Sequence, residues 1–372
     1  MKYLISAFVF SILIVAMANC ESHDPAEIDR FPNLMSRVRI SGPLSFCGEI
    51  VPLENQDVRE RFEKELLLAL WDRPQIALWI KRSGRYLPII EKLLKINDMP
   101  DDLKYVAIIE SALRPHAGSH KGAVGFWQFI KTTGRKYGLE INSAIDQRRN
   151  IFFSTQAAID YFKDLYDLLG SWTLAAAAYN MGEQGVQAEI LAQNSKNYYH
   201  LYLPLETQRY VLRIVVAKMI LSEPQSYGFQ FTWQDLYPPL QIDRLELICP
   251  QETPIAIVAR AAGTSFKRIK DLNPEIRGHF LAPGSYRILV PEGAAAGFLE
   301  RFESLVEQWR TENNGMVYVV RTGDSLSAIA KRFNVPLSVL ITWNRLNKNK
   351  PIHPGDRLVI YMQDTSPDVA RN

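Results

Sequence analysis

The sequence predicts a mainly α domain followed by small α+β modules. Three observations carry that expectation. Apolar residues recur at helical spacing through most of Val58 to Ser222, the composition turns proline-rich and alternating after Pro224, and a strand-helix-helix-strand pattern then occurs twice in one internal register. The 372 residues, 47% hydrophobic and 22% charged, suffice for two to four domains with sizeable cores and exclude a disordered chain. With 43 basic against 40 acidic residues and no long basic run, nothing points to nucleic acid.

The chain opens "MKYLISAFVFSILIVAMANCES", where Lys2 precedes an apolar run of 15 residues from Leu4 to Ala18. That length matches the core of a signal peptide over residues 1–19 and is short for a bilayer span, which takes about 20 residues. Export is therefore expected. Two processing routes compete, with an uncleaved anchor as the third outcome that the short run disfavours: cleavage after the small pair Ala16-x-Ala18, and lipid attachment at Cys20, which would tie the chain to a membrane. Asn19 before the cysteine is unusual for the second. An exported chain meets an oxidising compartment, and Cys20, Cys47 and Cys249 are an odd number there. A lipid on Cys20 would leave Cys47 and Cys249 as a pair, either bridged or separately buried, since only Cα atoms within about 7 Å can be joined.

Residues 20–43 are polar and contain prolines, as in a tether. Leu44 to Leu53, "LSFCGEIVPL", alternates like a strand. Helices are expected over Val58 to Leu70, over Gln75 to Asn97 with a break near Gly84, over Leu103 to Leu113, Ile151 to Leu169, Thr173 to Tyr179 and Thr207 to Leu221. These place an N-terminal helical region at 44–100, packing on a helical domain at 101–224. A first module follows at 225–293, entered through the extended "YPPLQIDRLELICP". In the repeat, Asn273 pairs with Asn344, Pro283-Gly284 with Pro354-Gly355 and Ile288 with Val359, each 71 residues apart. Between the copies, Phe298, Phe302, Leu305 and Trp309 form a packing stripe on a helical linker at 294–314. The second module spans 315–362, with Ser325 opening its first helix and Asn334 closing it. Residues 363–372 read as a disordered tail.

One carboxylate stands out. Leu103, Val106, Ala107 and Glu110 follow i, i+3, i+4, i+7, so Glu110 shares a helix face with apolar side chains. Burial raises a carboxyl's pKa and turns it into a proton donor near neutral pH. A buried structural Glu paired with Arg114 or Arg135 is the competing account. The neighbouring residues weigh against it. Ser119 precedes a Gly122-x-x-Gly125-x-x-Gln128 turn, and Tyr179 and Asn180 follow an alanine run. Glycines permit close backbone approach along a narrow polymer cleft, while Gln128 and Asn180 offer donors and acceptors for acetamido and hydroxyl groups. Ser111 has a simpler account, satisfying helix backbone. His116 and His120, at i, i+4, lack an HExxH arrangement, so neither metal nor cofactor is expected.

The set "ESALRPHAGSHKGAVGFWQF", "AAYNMGEQGV" and "LPLETQRYV" resembles the family 1 soluble-type lytic transglycosylases of bacterial peptidoglycan, and within them the membrane-bound lytic murein transglycosylase D group, whose chains carry C-terminal LysM modules. The resemblance covers about Leu44 to Ser222 and the C-terminal repeats. It implies a lysozyme-like α domain joined to βααβ LysM modules. It also implies cleavage of the MurNAc-GlcNAc β-1,4 bond of glycan strands, with a 1,6-anhydro-MurNAc product. By the same resemblance Glu110 is the catalytic acid and base, Ser119, Gln128, Tyr179 and Asn180 line the cleft, and Glu206 is a carboxylate near it. Glu206 also reads as a helix N-terminal charge. The resemblance further implies glycan contacts around Gly323, Asp324, Ser325, Ile352, His353 and Pro354 of the second module. The first module has Pro250-Gln251-Glu252-Thr253 where the second has its Thr-Gly-Asp-Ser opening, which leaves open whether it binds glycan. It also implies a periplasmic location, at the outer membrane if Cys20 carries lipid. Two other functions fit the same residues: a goose-type lysozyme-like hydrolase using water, and a wall-binding protein without catalysis. Ordinary glycosidases use two carboxylates, and only Glu110 has the expected setting.

Overall fold

The computed structural model describes residues 40, 42–312, 317–344, 346 and 351–360. The expected signal peptide, Cys20, most of the tether and the tail lie outside them. Among the described residues no helix is long and apolar enough to cross a membrane. The chain divides into two compact units. One holds the described residues through Thr133 together with Ile151–Pro239, and the other holds Gly134–Asn150 and the residues from Leu240 onward.

The first unit is helical. It begins with a hairpin, β1 (Ser45–Phe46) and β2 (Glu49–Ile50), where a single strand was expected. Cys47 and Gly48 both have positive φ, 51° and 83°, the backbone of a tight two-residue turn. Next come α1 (Gln56–Trp71) and α2 (Arg73–Ile96), each capped by a side chain, Asn55 and Asp72. The break expected at Gly84 does not occur, and α2 runs on through Pro88. Gly84 has another reason to lack a side chain: a Cβ there would meet Leu236 Cβ at 2.9 Å and the Tyr237 carbonyl at 3.1 Å. A 3-10 turn at Asp101–Leu103 leads into α3 (Lys104–Ser111), which stops short of the expected Leu113.

The helix α4 (Lys131–Lys136) was not foreseen. Then follow α5 (Ile151–Leu169), α6 (Trp172–Met181), α7 (Glu183–Gln193) and α8 (Leu205–Ser222). The helix α7 was missed because its apolar residues are sparse: only Val186 is buried. Ala175 to Ala178 have no exposure, and their small side chains let α6 contact α5, α7 and α8 closely. The α6 N-terminus is pinned by Glu49, which accepts from the Trp172 amide at 2.5 Å and the Thr173 amide at 3.0 Å. The N-terminal hairpin therefore fixes the helix whose last turn carries Tyr179 and Asn180.

The second unit contains both modules. In the first, β3 (Ile242–Cys249) and β6 (Gly284–Pro291) pair antiparallel around β4 (Thr253–Pro254), α9 (Ile255–Ala261), α10 (Phe266–Leu272) and β5 (Phe280–Leu281). The helix α11 (Phe298–Glu312) is no free linker: Phe298 and Phe302 are buried in this module's core, with Leu305 and Trp309 packed beside them. The second module repeats the plan with β7 (Val317–Val319), α12 (Leu326–Arg332), α13 (Leu337–Trp343) and β8 (Arg357–Val359), and has its own core around Ile329 and Leu340.

The repeated asparagines explain the internal register. Asn273 donates to the Ile269 and Leu289 carbonyls and accepts from the Leu289 amide, and Asn344 does the same with Leu340 and Val359. This side chain closes the second helix onto the last strand. The clamp equates Val359 with Leu289, not with Ile288 as the sequence register had it; one extra residue lies between Gly284 and the clamped position.

Residues 134–150 interrupt the helical stretch and belong with the modules. Ile145 bridges Ile276, the Asp146 amide donates to the Glu275 carbonyl at 2.8 Å, and the Arg277 amide donates to Ala144 at 2.7 Å. Asn150 donates to the buried Glu275 carboxyl at 2.8 Å, whose other oxygen has no partner. A continuous helical domain over 101–224 thus gives way to one whose loop is built into the first module. Cys47 and Cys249 are free thiols, one in each unit.

Candidate functional site

Glu110 is the penultimate residue of α3, and the chain behind it turns sharply. Ala112 and Leu113 both adopt left-handed backbone, φ 51° and 57°, and Leu113 is fully buried. A bulky residue rarely takes that conformation, so the surrounding structure must hold it there. Arg82 helps by donating to the Ala112 carbonyl at 3.1 Å. The Ser111 hydroxyl lies 3.0 Å from the Ala107 carbonyl and 2.8 Å from the Phe126 carbonyl, joining α3 to the glycine-bearing loop. Ser111 thus does what the sequence suggested and also fastens the loop.

In that loop Gly122 and Gly125 have φ of 78° and 86°, as the turn reading required. Ser119 is exposed, and its Oγ accepts from the Ala123 amide at 3.2 Å, closing the turn. Gln128 is a left-handed residue, φ 49°; its Nε2 donates to the Gly125 carbonyl at 2.8 Å, which leaves Oε1 as its acceptor. Trp127 is buried and donates from its indole nitrogen to Thr155 at 3.0 Å, holding the loop on α5.

Tyr179 and Asn180 come from the end of α6. The Tyr179 ring stacks on Phe162 at 4.6 Å, and its hydroxyl donates to the Trp127 carbonyl at 2.7 Å. Asn180 accepts from the Thr207 hydroxyl at 2.7 Å through Oδ1, so its amide NH2 is the group left to donate.

The side chain that touches Glu110 is one the sequence reading quoted but did not single out. Tyr210, buried on α8, donates its hydroxyl to Glu110 Oε1 at 2.5 Å. Arg213 stands one turn further along α8 with Nη2 3.5 Å from the Ile109 carbonyl. Glu206 is exposed in the first turn of α8. Glu206, Tyr210 and Arg213 fall at i, i+4, i+7, one face of the helix, and that polar stripe was the available signal.

Opposing forces set the Glu110 charge. Desolvation by burial is the largest and pushes its carboxyl from 4.5 up to about 7. The Tyr210 hydrogen bond and the Arg213 charge pull it down, and the Glu206 charge pushes it up. Burial, with the Glu110 charge next, also drives the Tyr179 and Tyr210 phenols well above their usual value, so both stay protonated. A carboxyl that titrates near neutrality, held by a permanent donor, can deliver a proton and receive one.

The sequence profile of the Transglycosylase SLT domain matches residues 88–202, and that of the LysM domain matches residues 318–360. Over 345 residues the chain is 33% identical to the membrane-bound lytic murein transglycosylase D of Escherichia coli (strain K12), covering 88% of this chain and 74% of that relative. The figures are the same for the protein of that name in Escherichia coli O6:H1. The chain belongs to the lytic murein transglycosylase family. A protein of Alteromonas sp. (strain M-1) named for tributyltin chloride resistance is also similar, 33% identical over 122 residues, covering 32% of this chain and 58% of that relative. The SLT match contains Glu110, Ser119, Gln128, Tyr179 and Asn180, whereas Glu206, Tyr210 and Arg213 lie beyond its end.

The LysM match contains the other expected contacts. Two backbone bonds at Val320 tie their segments together: its amide donates to the Asp356 carbonyl, and its carbonyl accepts from the Gly355 amide, both at 2.8 Å. Gly323 has φ 87° and Ser325 caps α12, accepting from the Ala328 amide at 3.2 Å. The Asp324 carboxylate is occupied internally by the Tyr318 hydroxyl at 2.6 Å and the Arg321 amide at 2.8 Å. Ile352 packs on the module core, and the exposed His353 donates its amide to Asp356 at 2.7 Å, with Pro354 exposed beside it. The first module lacks the equivalent cap, since Pro254 precedes α9 with no side-chain bond.

Proposed function

We propose that the protein is a peptidoglycan lytic transglycosylase in which Glu110 alone serves first as acid and then as base. The observation that carries this reading is a half-buried carboxyl raised to about 7 whose hydrogen-bond partner among the described residues is a tyrosine hydroxyl, not a second carboxylate. Protonated Glu110 gives its proton to the oxygen of the MurNAc-GlcNAc bond as that bond breaks. The sugar's own C6 hydroxyl then attacks C1, and its proton passes to the Glu110 carboxylate. The acid is restored and 1,6-anhydro-MurNAc is released. An attacking group on the same ring has a high effective concentration, so no residue has to hold a water. The Tyr210 donor steadies the carboxylate between the two steps.

Gln128 Oε1, the Asn180 amide and the Tyr179 ring are the sugar contacts in this reading, with Ser119 at the turn and Glu206 at the exposed side. The LysM segments around Gly323 to Ser325 and Ile352 to Pro354 hold the glycan backbone. The leader directs the chain to the envelope, where a lipid on Cys20 would keep it at the outer membrane.

The test is mass analysis of muropeptides released from purified sacculi. The anhydro product is lighter than the hydrolytic one by one water and has no reducing end. Predominantly reducing-end muramic acid would make water the acceptor and the protein a lysozyme-like hydrolase.

A further inference from the structure

A cavity of about 280 Å³ lies among α1, α2, α3 and α8, lined by none of the expected cleft residues Glu110, Ser119, Gln128, Tyr179, Asn180 and Glu206. It adjoins the Glu110 site all the same, because Ile109 and Arg213 are among its walls. Ala69, Ile76 and Val216 give it an apolar floor, and the exposed Leu68 stands at its mouth.

Its polar groups divide unequally. The carboxylates are engaged: Glu65 accepts from Arg209 Nε at 2.5 Å and Nη2 at 3.0 Å, and Asp72 accepts from the Gln75 amide at 3.2 Å as the cap of α2. Arg213 is less fully engaged. Its charge faces Glu110, but of the five N–H donors of this partly exposed guanidinium only Nη2 makes a hydrogen bond among the described residues, at the 3.5 Å limit, to the Ile109 carbonyl. Partly desolvated donors without acceptors are costly unless a ligand supplies them, and a carboxylate matches a guanidinium in charge and shape. Asp72, exposed among the lining residues, would repel an anion beside it and favour Arg213 as the anion's partner.

We propose that this cavity is a subsite for a carboxylate carried by the glycan strand, bound by Arg213 with the attached apolar chain on the floor. The assignment rests on the peptidoglycan reading above. Peptidoglycan offers two carboxylates of this chemistry: those of the stem peptide, and the lactyl carboxylate of muramic acid where the stem has been removed.

The experiment compares wild type, Arg213→Met and Leu68→Trp on three substrates: stem-bearing strands, stem-free strands, and strands with every carboxylate converted to an amide. Leu68 is 49% exposed, so an indole there can fill the cavity mouth without entering the core, which leaves a usable variant if Arg213→Met does not fold. Both variants should raise KM on carboxylate-bearing strands about tenfold relative to the amidated strand, the size of one charge-assisted hydrogen bond. Loss on stem-bearing strands identifies the stem, and loss on stem-free strands the lactyl group. The alkaline pH limb should stay fixed in Leu68→Trp, because its Arg213 still faces Glu110. An equal loss on all three strands, or none, overturns the subsite. A wild type that cuts no strand at all refutes the transglycosylase reading instead, and the subsite falls with it.

Discussion

Replacing Glu110 by Gln should stabilise the protein at alkaline pH while abolishing cleavage. The Glu110 carboxyl titrates at about 7 in the folded chain against 4.5 for the free group. A raised carboxyl pKa means the folded state holds its proton more tightly than the unfolded one. Its stabilising contribution is complete below pH 4.5 and is lost as the pH climbs through 7. At about 1.4 kcal/mol per unit the full loss is about 3.5 kcal/mol, of which about 2.5 kcal/mol falls between pH 5 and 8.5. The amide does not titrate, and its oxygen can still accept from Tyr210. The variant should therefore gain on wild type by about 2.5 kcal/mol over that interval, or about 5–10 °C in Tm for a unit of this size. Calorimetry of both proteins at pH 5 and 8.5 measures it, following the transition of the helical unit. Glu275, buried and likewise raised to about 7, titrates in both proteins and cancels from the difference. A variant that tracks wild type in parallel across the interval would show that Glu110 is not desolvated, and residual cleavage would move the acid elsewhere, first to Glu206.

Tyr210→Phe removes the hydrogen bond that lowers the Glu110 pKa, so the alkaline limb of kcat/KM should move up by about one unit or more; an unmoved limb would separate the tyrosine from the acid. Deleting Gly315 to Asn372 should weaken sedimentation with sacculi and leave cleavage of soluble glycan fragments largely intact, because a linked module adds avidity without chemistry. Equal sedimentation of both forms would refute the binding role of the second module. Cys20→Ser should release the protein from membranes or leave it unprocessed, and an unmodified mature N-terminus at Asn19 would exclude the lipid.

Most helices of the first unit and the βααβ plan of the modules were legible because each shows its own period: 3.6 in Ile151–Leu169, and a repeated asparagine and Pro-Gly in the modules. What was not legible depended on distant contacts. Gly84 looked like a helix breaker, but its missing side chain admits Leu236 and Tyr237 more than 150 residues away. The stretch 134–150 carries no local sign that it pairs with Ile276 and Glu275. Cys47-Gly48 gave a turn within what seemed one strand, since alternation alone does not separate a short hairpin from a strand.

The site divides in the same way, and the division explains its chemistry. Glu110 could be located from the apolar face of α3, which accounts for burial, and burial is the main cause that raises this carboxyl. A group that must give up a proton and then recover it works best near the ambient pH. Lowering the pKa from what burial would set falls to Tyr210 and Arg213, and Glu206 acts in the opposite direction. These three share one face of α8 about 100 residues downstream, beyond the end of the SLT match. The apolar period of α3 accounts for the burial that raises this carboxyl, and the polar stripe of α8 moderates it. Neither segment alone sets a titration near pH 7.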